Sequence, residues 1–177
     1  MREMQFAWMV FAVVSCNDAV PDTGRHRELH TIAGETMGTT YTVKVVSTED
    51  EFDLARTRST IEKRLAQINA RMSHYLVDSE IATFNRSYTT EPYPLSSETV
   101  DLIAKANDIS RVSRGAFDIT VGPFVDAWGF GPKGPPATLP DSQVLDGLRA
   151  FVGYELLAVD REASAVRKLR KELTVDL

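Results

Sequence analysis

The sequence predicts a single domain of mixed α and β structure, class α+β, on three observations. Two segments, from Phe52 to about Met72 and from Glu98 to Arg114, repeat apolar residues at the helical period of about 3.6. Around them lie short runs rich in β-branched residues that are bounded by glycine or proline, as strands and turns are. The 177 residues, 43% hydrophobic and 25% charged, match the size and apolar content of one ordinary globular domain.

The elements follow in order. The run "TMGTTYTVKVV", Thr36 to Val46, predicts a strand entered from a tight glycine loop. In the first helical segment Leu54, Ile61, Leu65, Ile68 and Met72 share a face, with Glu62, Lys63, Arg64 and Arg71 mostly opposite, so the helix is amphipathic. Next, "SHYLVDSEIATFNRS" predicts a short helical turn through Phe84, with Asp78 as cap because a carboxylate accepts the unpaired amide hydrogens of a first turn. The loop "EPYPLSS" leads to the second helix, capped by Ser96 or Ser97, with apolar positions Val100, Ile103, Ala104, Ile109 and Val112. Gly115 closes it, since glycine tolerates the left-handed conformation at a helix end.

After Gly115 the stretch "GAFDITVGP" predicts a sharp turn and a short β-prone run. Residues 131–140, "GPKGPPATLP", hold four prolines and two glycines and form a loop. A helix from Ser142 to about Phe151, capped by Asp141 or Ser142, precedes a hairpin turning near Arg161 and a last strand, "ELTVDL". That pattern runs to Leu177 without a cap or polar tail, which reads as a domain incomplete at its C-terminus.

A formal net charge of -5 gives no broad basic field, so nucleic acid is not an expected partner. One cysteine excludes an intramolecular disulfide and a multi-thiolate zinc site. The apolar run "MQFAWMVFAVVS", Met4 to Ser15, is too short to span a bilayer and suits a signal-peptide core; "VVSC" resembles a bacterial lipobox. Residues 1–16 then form a lipoprotein signal with Cys16 as the lipidated residue, 17–33 a polar tether, and 34–177 the folded domain. The other reading of this region is a buried N-terminal strand with an incidental cysteine.

Standard catalytic constellations are missing. His26 and His30 fall in the tether and His74 stands alone, so no histidine metal site or triad assembles from the sequence. There is no P-loop, and "GFGPKG" carries a proline where a dinucleotide fingerprint needs a strand-to-helix turn. Four separated segments remain: "TMGTTY" at 36–41, "MSHYLVDSEIATFN" at 72–85, "SRGAFDITVGPFVDAWGFG" at 113–131 and "LTVDL" at 173–177. Each alone has an ordinary structural explanation.

Taken together, in this order and spacing, they resemble the ApbE family of bacterial FAD:protein FMN transferases, over about Thr36 to Leu177. The resemblance implies that fold, and a magnesium-dependent enzyme that cleaves the pyrophosphate of FAD and transfers FMN to a threonine hydroxyl of a target flavoprotein. It places FAD contacts on Met37, Tyr75, the Ala116, Phe117 and Asp118 turn, and Asp176, with no metal ligand before Leu177 and no assigned catalytic residue. It also implies an envelope lipoprotein facing the periplasm, held to a membrane by its lipid.

The residue chemistry suits these roles. Met37, Tyr75 and Phe117 offer flat apolar neighbours for a flavin or adenine ring, and Asp118 and Asp176 offer polar groups to orient it. Trp128 and Phe130 are expected to pack the base of that wall. Without the metal-binding part, this chain is expected to be inactive alone; the alternative is a truncated flavin-binding lipoprotein without catalysis.

Overall fold

In the computed structural model, residues 27–48 and 52–177 are described; the leader, Cys16 and most of the tether lie outside them. Strands β1 (Glu28–Thr36) and β2 (Thr39–Ser47) form an antiparallel hairpin in register from Glu28↔Ser47 to Thr36↔Thr39. Met37 and Gly38 make the two-residue turn, with φ of 50° and 73°. Two successive positive φ values match the twist of the flanking strands, which is why such turns close hairpins. Residues 28–33, expected in the tether, are therefore strand. Their apolar alternation is weak, and it is pairing with β2 that fixes them.

Helix α1 (Leu54–Met72) begins where the Asp53 carboxylate accepts the amide of Arg56. It matches the predicted span, yet none of its residues is buried, so its apolar stripe is only half covered by the hairpin and the next helix. Arg58 donates to the Ala33 carbonyl at 2.8 Å and ties α1 to β1. Helix α2 (Glu80–Arg86) is capped by Ser79, whose hydroxyl accepts the Ala82 amide at 3.0 Å; the expected cap was Asp78, one residue earlier. Ser79 is buried while Asp78 is exposed, and an N-cap must stand where the first amides point.

Helix α3 (Ser97–Val112) starts at the Ser96 cap. Glu80 accepts from the Ser96 amide and from the hydroxyls of Ser96 and Thr99, so one carboxylate joins α2 to the start of α3. Glu98 does the same for α1: Arg64, with Arg71 beside it, pairs with its carboxylate and holds it below the usual range. The buried face of α3 is Thr99, Val100, Ile103, Ala106, Asn107 and Ser110. Ile109 and Val112, expected on it, point outward, because the positions that recur with Val100 and Ile103 at i+3, i+4 and i+7 are 106, 107 and 110.

Strands β3 (Tyr93–Pro94), β5 (Ala165–Lys168) and β4 (Leu157–Asp160) form an antiparallel sheet in the order β3-β5-β4. The β4–β5 turn is the predicted hairpin near Arg161. Helix α4 (Gly122–Ala127) occupies residues read as the end of a β-prone run, and α5 (Ser142–Leu148) continues as a 3-10 turn over 149–151. The core joins α2, α3, the sheet and the C-terminal segment through Ile81, Phe84, Ile103, Ile119, Val166, Leu173 and Val175. Leu173 and Val175 point inward, as a strand would place them, but "ELTVDL" pairs with no strand among the described residues. The architecture is α+β, as predicted.

Candidate functional site

The site grows from the exit of α3. Arg114 and Gly115 both take left-handed conformations, with φ of 56° and 81°, and the Gly115 amide reaches back to the Ser110 carbonyl at 2.8 Å. The chain thus reverses sharply and presents Ala116 and Phe117 on an exposed shoulder. Phe117 is anchored by its amide, which donates to the Ser113 hydroxyl at 3.1 Å.

Asp118 braces the turn from behind. One oxygen accepts from the Thr120 amide and hydroxyl at 2.8 and 2.7 Å, and the other from the Tyr154 amide at 2.8 Å. Thr120, fully buried, also accepts the Gly153 amide at 2.7 Å. Charge-assisted bonds of this kind are short and rigid, so Asp118 locks the turn to residues 153–154. Both oxygens are engaged within the protein, which makes Asp118 a support of the shoulder before any contact with a ligand.

The C-terminal segment runs beside this turn. The Asp176 amide donates to the Ile119 carbonyl at 2.7 Å, and its carboxylate lies 3.1 Å from Nδ1 of His74. His74 sits in the loop between α1 and α2, next to Tyr75. The Tyr75 hydroxyl donates to the Phe130 carbonyl at 2.8 Å, fastening the loop after α4. Trp128 and Phe130 do not pack the base of a wall: both are exposed, Phe130 by 75%. The bond to Tyr75 fixes their backbone instead and leaves the rings outside.

These segments enclose two adjoining clefts. The first, about 690 Å3, is lined by Met37 and Gly38 from the hairpin turn, Ile68 and Met72 from α1, and His74 and Tyr75. The second, about 440 Å3, is lined by Ala116, Phe117, Asp118, Ile119 and Asp176. Leu102 of α3 and Leu177 line both, so they form the shared wall. A third, about 310 Å3, lies behind Asp176 and His74 and is bordered by Asn85, Gly122 and Lys133.

The six residues singled out for FAD contact thus divide between adjoining spaces, Met37 and Tyr75 in one and Ala116, Phe117, Asp118 and Asp176 in the other. Sequence reasoning missed His74, because its partner is at the far end of the chain and no local pattern pairs them. Among the described residues no group of three or more His, Cys, Asp or Glu side chains could hold a metal ion.

Comparison with known proteins gives one consistent result. The ApbE family model matches residues 37–177. A protein of Vibrio cholerae named FAD:protein FMN transferase is 36% identical over 146 residues, which cover 82% of this chain and 43% of that protein. Its counterpart in Haemophilus influenzae is 35% identical over 153 residues, with the same two coverages, 82% and 43%. Among solved structures, the flavin transferase ApbE of Vibrio cholerae superposes with a TM-score of 0.80 at 34% identity, covering 85% of this chain and 48% of that one. The apo flavinyl transferase ApbE of Pseudomonas stutzeri gives 0.78 at 31% identity, covering 85% and 47%. The chain spans less than half the length of these curated relatives.

Proposed function

The chain belongs to the ApbE family, and from that premise we propose that it holds FAD across the two adjoining clefts and serves the transfer of FMN from FAD to a protein. The observation that carries this reading is convergence. Met37, Tyr75, the Ala116–Asp118 turn and Asp176 come from separate parts of the chain and line spaces that share Leu102 and Leu177. Each cleft falls within the range of about 300–1,000 Å3 usual for small-molecule sites. A ligand with two ring systems joined by a flexible phosphate bridge suits two mostly apolar spaces with a common wall.

In the proposed reaction the acceptor is a threonine hydroxyl of a target flavoprotein. Its oxygen forms a bond to the FMN phosphorus, the pyrophosphate P–O bond to AMP breaks, AMP leaves with that electron pair, and the hydroxyl proton is released. Phosphoryl transfer of this type depends on positioning and charge neutralisation. The residues of this chain supply the positioning: the shoulder braced by Asp118, the Met37 and Tyr75 faces, and the Asp176 carboxylate.

Magnesium dependence belongs to the same proposal. The described residues supply no group of three or more His, Cys, Asp or Glu side chains that would hold the ion by themselves. That observation favours a second reading, in which this polypeptide binds flavin without turning it over, and inactivity of the chain alone is part of the proposal. Lipidation at Cys16, with attachment to a membrane of the bacterial envelope facing the periplasm, completes it.

The test is a titration of the chain with FAD, with and without magnesium, followed by incubation with a flavoprotein fragment carrying an acceptor threonine. Covalent flavin fluorescence on the denatured acceptor supports the transferase. FAD binding without transfer or magnesium dependence supports the binding-only reading, and absence of FAD binding overturns both.

A further inference from the structure

His74 stands where the clefts meet. It lines the Met37–Tyr75 cleft and also the third cleft, behind Asp176. Its ring lies against that of Tyr75, with centroids 4.4 Å apart, and its Nδ1 is 3.1 Å from Oδ1 of Asp176. Only 21% of the His74 side chain and 23% of the Asp176 side chain are exposed, so the pair is largely shielded from water.

The loop that carries His74 is fastened on both sides. The Ser73 hydroxyl accepts from the amides of Tyr75 and Leu76 at 3.2 and 3.3 Å, and the Ser79 hydroxyl donates to the Ser73 carbonyl. On the other side, Asp176 is held through its amide to the Ile119 carbonyl at 2.7 Å. Its second carboxylate oxygen, Oδ2, has no hydrogen-bond partner among the described residues.

We infer that His74 is a positioning residue: its ring, with Nδ1 3.1 Å from one oxygen of Asp176, holds that side of the carboxylate and leaves the other oxygen for a hydroxyl, amine or imide donor of the bound dinucleotide. The inference rests on the reading that these clefts hold FAD. A free aspartate on an extended segment samples several rotamers and must lose that freedom on binding. One held beforehand by a neighbouring ring gives up less.

The experiment is an FAD titration, read by flavin fluorescence, of the chain and of the His74→Ala, His74→Asn, Asp176→Ala and double alanine variants. Asparagine places an amide nitrogen at about the position of Nδ1. The expected result is that His74→Ala weakens binding about tenfold and His74→Asn stays within about threefold of the parent. In the Asp176→Ala background, His74→Ala has no further effect. The inference is overturned, with FAD binding itself intact, if His74→Ala binds normally, if its effect is equal in both backgrounds, or if His74→Asn folds with the parent melting temperature yet shows no recovery. A parent chain that binds no FAD at all overturns the underlying reading as well.

Discussion

The side-chain amide of Asn85 closes both backbone hydrogen bonds of Val175, donating to its carbonyl and accepting from its amide, each at 2.8 Å. Asn85 lies near the end of α2, and through it a helix offers the donor and acceptor that a neighbouring strand would offer. The C-terminal segment therefore sits in place without a ladder, with Leu173 and Val175 in the core and Asp176 at the clefts.

Replacing Asn85 by alanine leaves the amide and carbonyl of the nearly fully buried Val175 unpaired. The expected loss of stability is about 1–3 kcal/mol, the penalty of stranded buried polar groups. Urea unfolding measures it. FAD affinity should fall with it, because Asp176 is the next residue. An unchanged midpoint would mean that water or a neighbour replaces the amide at no cost.

Gly122 makes a second demand on the same segment. A Cβ at this position would meet Oγ1 of Thr174 at 2.7 Å and Cβ of Thr174 at 3.6 Å. Only the hydroxyl is too close. Gly122→Ala is expected to destabilise the fold by about 1–2 kcal/mol through overpacking, and Thr174→Ala in the same chain to restore most of it. Thermal melting of the two single variants and the double shows whether the two changes couple.

The helices α1 and α3 were legible because their apolar residues recur at one period over four or more turns, and the β4–β5 hairpin because two alternating runs flank a polar turn. Strand β1 was not, since "ELHTIAGET" gains its strand character from pairing with β2. Helix α4, "GPFVDA", was hidden because it starts directly after the β-branched run "DITV", which forms a turn and not the strand its residues favour. "ELTVDL" alternates as a strand does, but a single asparagine takes the place of its ladder. The motif order pointed to the clefts. The engagement of Asp118 and the pairing of His74 with Asp176 depend on contacts between distant segments, which no local pattern encodes.

Met37 holds a conflict between turn and site. Its φ of 50° is a region that a side chain with a Cβ enters at some expense, yet it lines the first cleft and is 50% exposed. Met37→Asn supplies the residue that this turn favours ahead of Gly38. The melting temperature should rise by about 2–4 °C while FAD affinity falls several-fold, as the thioether leaves the cleft wall. A gain in stability with unchanged affinity would remove Met37 from the site.

Lys168 gives the fold a dependence on pH. It is 1% exposed, donates to the carbonyls of Asn85 and Ser87 at 3.1 and 2.8 Å at the end of α2, and lies over the Phe84 ring at 4.7 Å. Burial pushes its ammonium down from 10.5 to about 8. Below about pH 8 the lysine is charged in both folded and unfolded chains, and the full penalty of burying that charge is present. Above it the folded chain gives up its proton first, so the unfolded chain binds more protons and stability rises with pH until about 10.5. Tyr154, whose hydroxyl Glu155 pushes upward, acts in the opposite sense above about pH 10, so the useful window ends before that. Between about pH 7 and 9.5 the contribution of Lys168 should amount to about 1–2 kcal/mol. Lys168→Met removes the titrating group and should flatten this rise in urea unfolding relative to the parent chain. Equal slopes in the two proteins would show that the ammonium keeps its ordinary proton affinity, held by the two carbonyls and the ring face strongly enough to offset its burial.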